Sequence, residues 1–430
     1  MKNTFLLLAF ILPATLLAQH TIKGTFSPAE DYKFALLYEV KPTGAFFEAD
    51  TRFINGSFTI TMKDNAKPGI YKLVYAFPQE ENSLELIYNG KEDIAFTFSK
   101  EQGVSFSSSE ENKAWQNHLR GFNQLQNEIA AAYQDPKLDK KLLSEKFEAL
   151  QKLHNENEAN SEGMLANSFI KSYRFYVPSA FEDVSSYQKN LLDNYLVNVN
   201  YKDKNLQGTK FLQDLTYGYI TIMQDYKMSL DNVAQKISPA GIEFKKSFLY
   251  ELWITLTQDP AIQKANYLAT KHLIPTAKEA KDTAMVNRVF TFTSLTLGSK
   301  APNFSWEEDG KTKWLHKVAP AENYVLVFWS SGCSHCVAEV PQVHAAVEKL
   351  DPAFVKVVAI GLEDEPYDWK NMTQDFPRFI NVLGLGKWEN DIGKTYNVEG
   401  TPTYIVLDKD KKIKAKPESL EELMGLLNIE

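Results

Sequence analysis

The only two cysteines of this 430-residue chain, Cys333 and Cys336, directly follow a hydrophobic run and a short turn. The run from Tyr324 to Trp329 has the length and the branched and aromatic content of a buried strand. After the turn residues Ser330-Ser331-Gly332, apolar side chains recur at helical spacing, at Val337, Val340, Val343, Val347 and Leu350. The sequence therefore predicts that both cysteines lie where a strand turns into a helix.

This position favours reactive thiols. The first backbone N–H groups of a helix have no partner within the helix and the helix dipole is positive there, so a thiolate is stabilised relative to a thiol. Cys333 is predicted to be the exposed nucleophile, and Cys336, one turn into the helix, the shielded resolving thiol.

Two alternative interpretations of the cysteine pair carry no redox chemistry. An inert structural disulfide is disfavoured because a two-residue loop stabilises the folded chain little. A structural zinc site needs four ligands, and His344 lies about two helical turns beyond Cys336, too far to complete a site with His335. We therefore expect no metal and no cofactor.

The N-terminus predicts export. Lys2 supplies a positive charge, residues 5–17 are mainly apolar, and Leu16-Leu17-Ala18 suits cleavage after Ala18. Residues 1–18 are predicted to be a secretory signal peptide, with a retained membrane anchor as the alternative. We expect a soluble protein of the periplasm or cell envelope. In an exported protein, a single closely spaced pair of cysteines indicates a catalytic site more than a structural disulfide.

Composition limits the partners. The net charge is -8, the isoelectric point is about 5.6, and no basic stripe with interleaved aromatic residues is present, so nucleic acid is not expected. The length suits two to four domains.

Three regions differ in pattern, which predicts a multidomain protein. Residues 19–100 alternate short β-type runs with turns such as Asn55-Gly56 and predict an antiparallel β-sandwich. Residues 101–296 have helical periodicity, as in Trp115, Leu119, Phe122, Leu125 and Ile129, and predict an all-α region. Residues 297–430 alternate strands with helices and predict a central sheet flanked by helices.

Two segments of the last region carry a family resemblance. Phe328 to Cys336 and Tyr396 to Thr403 resemble the two signature segments of the thioredoxin fold, at about their usual separation. Ala301-Pro302-Asn303-Phe304 and Cys336 to Pro341 resemble the exported TlpA/ResA-type disulfide reductases more than cytoplasmic thioredoxin. The β-rich and helical regions resemble the N-terminal module often fused to such domains in proteins of Bacteroidetes type.

The resemblance implies roles for several residues. Cys333 would attack a substrate disulfide and Cys336 would resolve the mixed disulfide, which leaves a Cys333–Cys336 disulfide. Pro402 matches the cis-proline of the family, and the backbone of Thr401 would face the thiols and pair with an extended substrate segment. Substrate-binding residues are therefore predicted at Trp329 and Thr401.

Two differences from thioredoxin leave the direction of electron flow open. Val327 occupies the position of thioredoxin's buried aspartate, so Glu339, three residues after Cys336, is the expected substitute. Glu339 would move a proton during resolution or raise the thiol pKa by its charge, and the alternative is an ordinary solvated glutamate. His335 precedes the second cysteine as in oxidising relatives of the fold, where a histidine stabilises the thiolate.

Three functions remain possible on this basis. The first is an exported protein that reduces disulfide-bonded envelope proteins and is itself re-reduced by a membrane thiol relay. The TlpA/ResA-type sequence around the cysteines favours it. The second is a disulfide oxidase or isomerase, which His335 favours. The third is a partner-binding scaffold with an incidental redox pair.

Overall fold

The computed structural model describes residues 19–428, so the predicted signal peptide, residues 1–18, lies outside the described residues. The chain divides into two compact units, one up to Leu252 and one from Trp253 onward. In the described part of the chain, no helix has both the length and the apolar character that crossing a membrane requires.

The N-terminal region is β-rich. Its strands are β1 (Thr21–Ser27), β2 (Phe34–Lys41), β3 (Gly44–Arg52), β4 (Ser57–Thr61), β5 (Gly69–Val74), β6 (Ser83–Tyr88), β7 (Ile94–Ser99) and β8 (Gly103–Phe106). They form two four-stranded sheets, in the orders β4-β1-β7-β8 and β3-β2-β5-β6. Alternate residues of both sheets, such as Ile22, Phe26, Leu37, Leu73 and Phe96, share one hydrophobic cluster.

Two features of these sheets correct the sequence-based expectation. The sheets are not wholly antiparallel, because β1 pairs in parallel with β7, from Ile22 opposite Ile94 to Ser27 opposite Ser99. Strand β8 lies within the residues predicted to be helical, 101–296. It follows a turn in which Gly103 has a φ of +71°, and it pairs with β7.

The middle of the chain is helical. Its helices are α1 (Glu110–Gln134), α2 (Lys140–Asn160), α3 (Ala166–Ser172), α4 (Val184–Asp193), α5 (Lys210–Ile222), α6 (Tyr226–Ile237), α7 (Ile242–Thr257), α8 (Gln263–Leu268), α9 (Ile274–Glu279) and α10 (Thr283–Ser294). Several begin at a side chain that accepts a bond from the first turn, as Asp139 does for α2 and Thr209 for α5.

Side chains join the β-rich region to the helices of the first unit. The amide of Asn112 on α1 accepts a hydrogen bond from the Ile87 N–H and donates one to the Ile87 carbonyl, at 2.9 and 2.7 Å. The carboxylate of Glu85 on β6 accepts from the N–H of Lys210 at the start of α5, at 2.6 Å. The β-rich strands and the helices up to Leu252 therefore form one structural unit.

The end of the chain has mixed α/β structure. Its elements are β9 (Ser305–Glu308), β10 (Lys311–Trp314), β11 (Asn323–Trp329), α11 (Ser334–Glu348), β12 (Val355–Glu363), α12 (Tyr367–Met372), β13 (Phe379–Leu385), α13 (Asp391–Thr395), β14 (Thr403–Asp408), β15 (Ile413–Ala415) and α14 (Leu420–Leu426). The central sheet has the order β13-β12-β11-β14-β15.

Strand directions bring distant residues to one edge of this sheet. Strands β11, β12 and β13 are parallel, whereas β14 runs antiparallel to β11. The carboxyl ends of β11 and β12 and the start of β14 therefore meet at one edge, where Trp329 pairs with Gly361 and Phe328 with Thr403. Both cysteines follow β11 at this edge.

Candidate active site

The two cysteines occupy the first turn of α11, as the sequence predicts. Cys333 is the N-cap residue, and its Sγ accepts a hydrogen bond from the Cys336 N–H at 3.4 Å. Both are free thiols; Cys333 is half-buried, whereas Cys336 is completely buried. A disulfide partner approaching from solvent therefore reaches Cys333 first.

The surroundings move the two thiol pKa values apart. Burial alone would raise the pKa of Cys333, but hydrogen bonds from the Cys336 side chain and from the N–H groups of Cys336 and His335 lower it below its ordinary value. Burial, followed by the hydrogen bond to Cys333, raises the pKa of Cys336 to about 12. One thiol is prepared to attack, and the other keeps its proton until a base removes it.

The loop before β14 faces the nucleophile. The Thr401–Pro402 peptide bond is cis, and the Thr401 carbonyl accepts a hydrogen bond from the Cys333 thiol at 3.3 Å. The structure thus brings Thr401 and Pro402, which are 68 residues or more away in the chain, to Cys333.

Glu339 lies on α11 one turn beyond Cys336 and is partly exposed. Its carboxylate accepts a hydrogen bond from the hydroxyl of Tyr404, a buried residue of β14, at 2.8 Å. Tyr404 and Cys336 belong to the same hydrophobic cluster on this face of the sheet. Glu339, the predicted proton carrier, is therefore hydrogen-bonded to β14, the strand that follows Pro402.

Two other predicted site residues occupy different environments. His335 is exposed, and it reaches Cys333 through its backbone N–H. Trp329 is completely buried in the cluster that contains Val325 and Val327, because alternate residues of β11 point to that face of the sheet. In this structure the Trp329 side chain therefore has no exposed surface, and its role in substrate binding stays a prediction.

The structure also gives the surroundings of His344, which was considered above as a possible zinc ligand. His344 is buried between the rings of Phe376 and Phe379, and its Nε2 lies 3.4 Å from the Arg378 N–H. Over residues 19–428, no group of three or more histidine, cysteine or acidic side chains is arranged to hold a metal ion.

A site residue that the sequence analysis missed is Glu363, the last residue of β12. Its buried carboxylate accepts hydrogen bonds from the Ser331 N–H at 2.6 Å, the Ser331 hydroxyl at 3.0 Å and the Ser330 hydroxyl at 3.2 Å. The Ser330 carbonyl in turn accepts from the Cys333 N–H at 3.1 Å. Glu363 thus fixes the turn that carries the nucleophile. The available signal was an acidic residue ending a buried strand.

Residues 322–413 match the protein family model described as Thioredoxin-like. The C-terminal region of this chain therefore contains a thioredoxin-like domain. With an accessible thiol of lowered pKa beside a buried second thiol, this domain defines the chain as an oxidoreductase of the thiol-disulfide class.

Among particular proteins, the chain is similar to thiol-disulfide oxidoreductase ResA. It is 27% identical to a Bacillus cereus protein of that name over 136 residues, which cover 31% of this chain and 78% of that relative. It is 28% identical to the Bacillus anthracis protein over 142 residues, again 31% and 78% of the two chains.

Solved structures match over similar or longer segments. A domain of a possible thiol-disulfide isomerase from Cytophaga hutchinsonii is 31% identical and covers 31% of this chain and 92% of its own length, with a TM-score of 0.28. A thioredoxin-like protein from Bacteroides caccae is 17% identical and covers 59% of this chain and 96% of its own length, with a TM-score of 0.33.

Proposed function

We propose that this protein is an exported thiol-disulfide oxidoreductase that reduces disulfide-bonded proteins of the cell envelope. The observation that carries the proposal is the contrast between the two thiols: Cys333 is accessible with a lowered pKa, and Cys336 is buried with a raised one. The apolar N-terminal segment of the sequence supports export to the periplasm or cell envelope.

The reaction takes place in two exchange steps. The Cys333 thiolate attacks one sulfur of the substrate disulfide, so a mixed disulfide forms and the first substrate thiolate leaves. Cys336 then loses its proton and attacks the Cys333 sulfur, which breaks the mixed disulfide and releases the second substrate thiolate. The substrate gains two electrons, and the protein is left with a Cys333–Cys336 disulfide.

Neighbouring residues support both steps. The Thr401 carbonyl, 3.3 Å from the Cys333 Sγ, is placed to pair with an extended substrate segment beside Pro402. The resolving step needs a base because the pKa of Cys336 is raised to about 12. Glu339 supplies a carboxylate one helical turn away, so we assign the proton transfer to it.

The direction of electron flow is proposed to be reductive, with a membrane thiol relay returning the pair to the dithiol form. The ResA-type sequence around Cys336 supports this direction. The competing proposal, an oxidase or isomerase, draws on the histidine at position 335, directly before the second cysteine as in oxidising relatives of the fold, where it stabilises the thiolate and so the reduced form. A reduction potential near that of DsbA, about -120 mV, would reject the reductase, and one near thioredoxin's, about -270 mV, would reject the oxidase.

The experiment that tests the activity is trapping of mixed disulfides. The full-length Cys336→Ser protein, expressed with its N-terminus intact, should retain envelope proteins through Cys333 on non-reducing gels. The matched control is the Cys333→Ser/Cys336→Ser double variant, which should retain none. Equal recovery with both variants would reject the mechanism.

The first unit has a separate proposed role. We infer that its two four-stranded sheets form a β-sandwich, because residues of both sheets share one hydrophobic cluster. The redox domain is proposed to begin near residue 297. If the protein were instead a scaffold, the Cys333→Ser variant would keep full function in cells, whereas the redox proposal expects it to be inactive.

A further inference from the structure

The contact between Tyr404 and Glu339 has no counterpart in the predicted site. Helix α11 places Cys336 and Glu339 three residues apart, on one face of the helix. Strand β14 packs against this face through Tyr404, which is 2% exposed and lies in the same hydrophobic cluster as Cys336. The Tyr404 hydroxyl donates to Oε2 of Glu339 at 2.8 Å.

Electrostatics fix the direction of this hydrogen bond. Burial is the largest cause that raises the pKa of Tyr404, followed by the bond to Glu339 and by the charges of Glu339, Cys336 and Cys333. The phenol therefore stays protonated and can only donate toward the carboxylate.

A hydroxyl in this position restricts where the Glu339 carboxylate can be. A glutamate on a partly exposed helix face has several rotatable bonds and would otherwise sample solvent. Proton transfer requires the base within hydrogen-bond reach of the proton, directly or through one water molecule. A bond that holds the carboxylate against β14 keeps it on the side of the helix that carries Cys336.

We propose that Tyr404 is a positioning residue for the resolving step, whose hydroxyl holds the Glu339 carboxylate where it can take the proton of Cys336. In this step the Cys336 S–H bond breaks, its proton passes to Glu339, and the sulfur electron pair forms the bond to Cys333 as the substrate thiolate leaves. The inference rests on the proposed function and deepens it by assigning how the resolving thiol is activated.

The two exchange steps can be observed separately with Ellman's reagent. One equivalent of the reagent mixed with the reduced full-length protein releases a first thionitrobenzoate when Cys333 attacks and a second when Cys336 resolves the mixed disulfide. In a stopped-flow experiment these are two phases. Full-length Cys336→Ser should show the first phase alone.

Tyr404→Phe keeps the ring and removes the hydroxyl. At pH 7 we expect the second phase to slow by roughly 10- to 100-fold, with the first phase unchanged. The effect should shrink at alkaline pH, because hydroxide then removes the Cys336 proton. The matched control is Tyr396→Phe, which removes another buried hydroxyl, bonded to the Pro302 carbonyl in the cluster on the other face of the sheet. It should leave both phases unchanged.

A double variant separates positioning from packing. In a Glu339→Gln protein, whose second phase is already slow, adding Tyr404→Phe should slow the second phase no further. A second phase that is unaltered by Tyr404→Phe, or slowed equally in both backgrounds, would overturn the inference and leave the proposed function intact. The proposed function itself would fail if wild-type protein showed no second phase.

Discussion

Each unit contains a close pair of titratable side chains. Only in the thioredoxin-like domain do the two members of the pair have different surroundings. In the thioredoxin-like domain, hydrogen bonds lower the pKa of Cys333 while burial raises that of Cys336. In the first unit, His118 on α1 and His154 on α2 are both fully buried, with ring centroids 5.6 Å apart. Burial lowers their pKa values together, to about 4 and about 3.

The difference lies in the hydrogen bonds. Among the described residues, neither ring nitrogen of His154 has a hydrogen-bond partner, whereas Nδ1 of His118 is hydrogen-bonded to Asn157. Burial outweighs the few compensating interactions and keeps both imidazoles neutral near pH 7. Burial with a set of donors on one side makes one thiol reactive. Burial of titratable side chains alone therefore does not identify a functional site.

The largest effect should be the difference in thiol reactivity. At pH 7, iodoacetamide should alkylate Cys333 in the Cys336→Ser protein roughly 100-fold or more faster than Cys336 in the Cys333→Ser protein, because backbone N–H groups still stabilise the Cys333 thiolate whereas Cys336 is buried. Cys333 alkylation should titrate below the usual thiol pKa and that of Cys336 above it, because burial, the largest cause of the raised Cys336 pKa, remains in the Cys333→Ser protein. Mass spectrometry measures both rates, and similar rates would remove the contrast between the two thiols.

A second test concerns the turn beside Cys333. Glu363→Ala leaves the donors of Ser330 and Ser331 unpaired in a buried site, so it should cost about 2–3 kcal/mol in free energy of unfolding. Urea denaturation of the full chain measures this cost. The control is Glu365→Ala, which removes an exposed carboxylate two residues on and should change stability by less than about 0.5 kcal/mol. Equal costs would contradict the assigned role of Glu363.

The histidine pair predicts acid sensitivity of the first unit. The ordinary histidine pKa is 6.5, and the folded values are about 4 and about 3. Below pH 6.5 the unfolded state therefore binds more protons, and stability falls as pH drops from 6.5 towards 4. At pH 5 we expect a loss of about 1–2 kcal/mol for each histidine.

Hydrogen exchange of the α1 and α2 amides at pH 7 and pH 5, corrected for intrinsic rates, measures this loss. His154→Leu should reduce the pH dependence by about half, while His335→Leu at an exposed position should leave it unchanged. If His154→Leu left the slope unchanged, the buried pair would not be its origin.

The smallest effect should come from an exposed pair on the same helix as His154. The Nζ of Lys152 and the Oε1 of Glu156 lie 3.7 Å apart, and the two side chains are 73% and 59% exposed. Lys152→Ala should change the free energy of unfolding by less than about 0.5 kcal/mol, and salt should reduce even that. The same exchange experiment measures it, and a loss as large as that of the histidines would show that burial is not the deciding factor.

Local sequence signals predicted the parts of the site that are close together in the chain. The strand-to-helix turn with both cysteines follows from periodicity, and the segment around Pro402 follows from the family resemblance. Glu363 and Tyr404 reach the thiols through the pairing of β12 and β14 with β11, a tertiary arrangement that no local pattern encodes. The burial of Trp329 could not be predicted, because a strand-end aromatic residue can face the core or the surface equally well.

The first unit shows the same limit at the level of the fold. Turn signals such as Asn55-Gly56 identify where strands begin and end, and β4 does begin at Ser57, directly after that turn, although β3 and β4 belong to different sheets. They cannot reveal that β1 pairs in parallel with β7, about 70 residues later, because no turn connects these strands.

That parallel pair has a consequence for the order in which the chain can assemble. Strand β1 is an inner strand of its sheet, between β4 and β7. One side of β1 can be covered once β4 has been synthesised, but the other stays open until the chain has grown to Ser99. One edge of β1 therefore stays unpaired in any folding intermediate in which β7 has not yet docked, and an unpaired strand edge can pair with another chain.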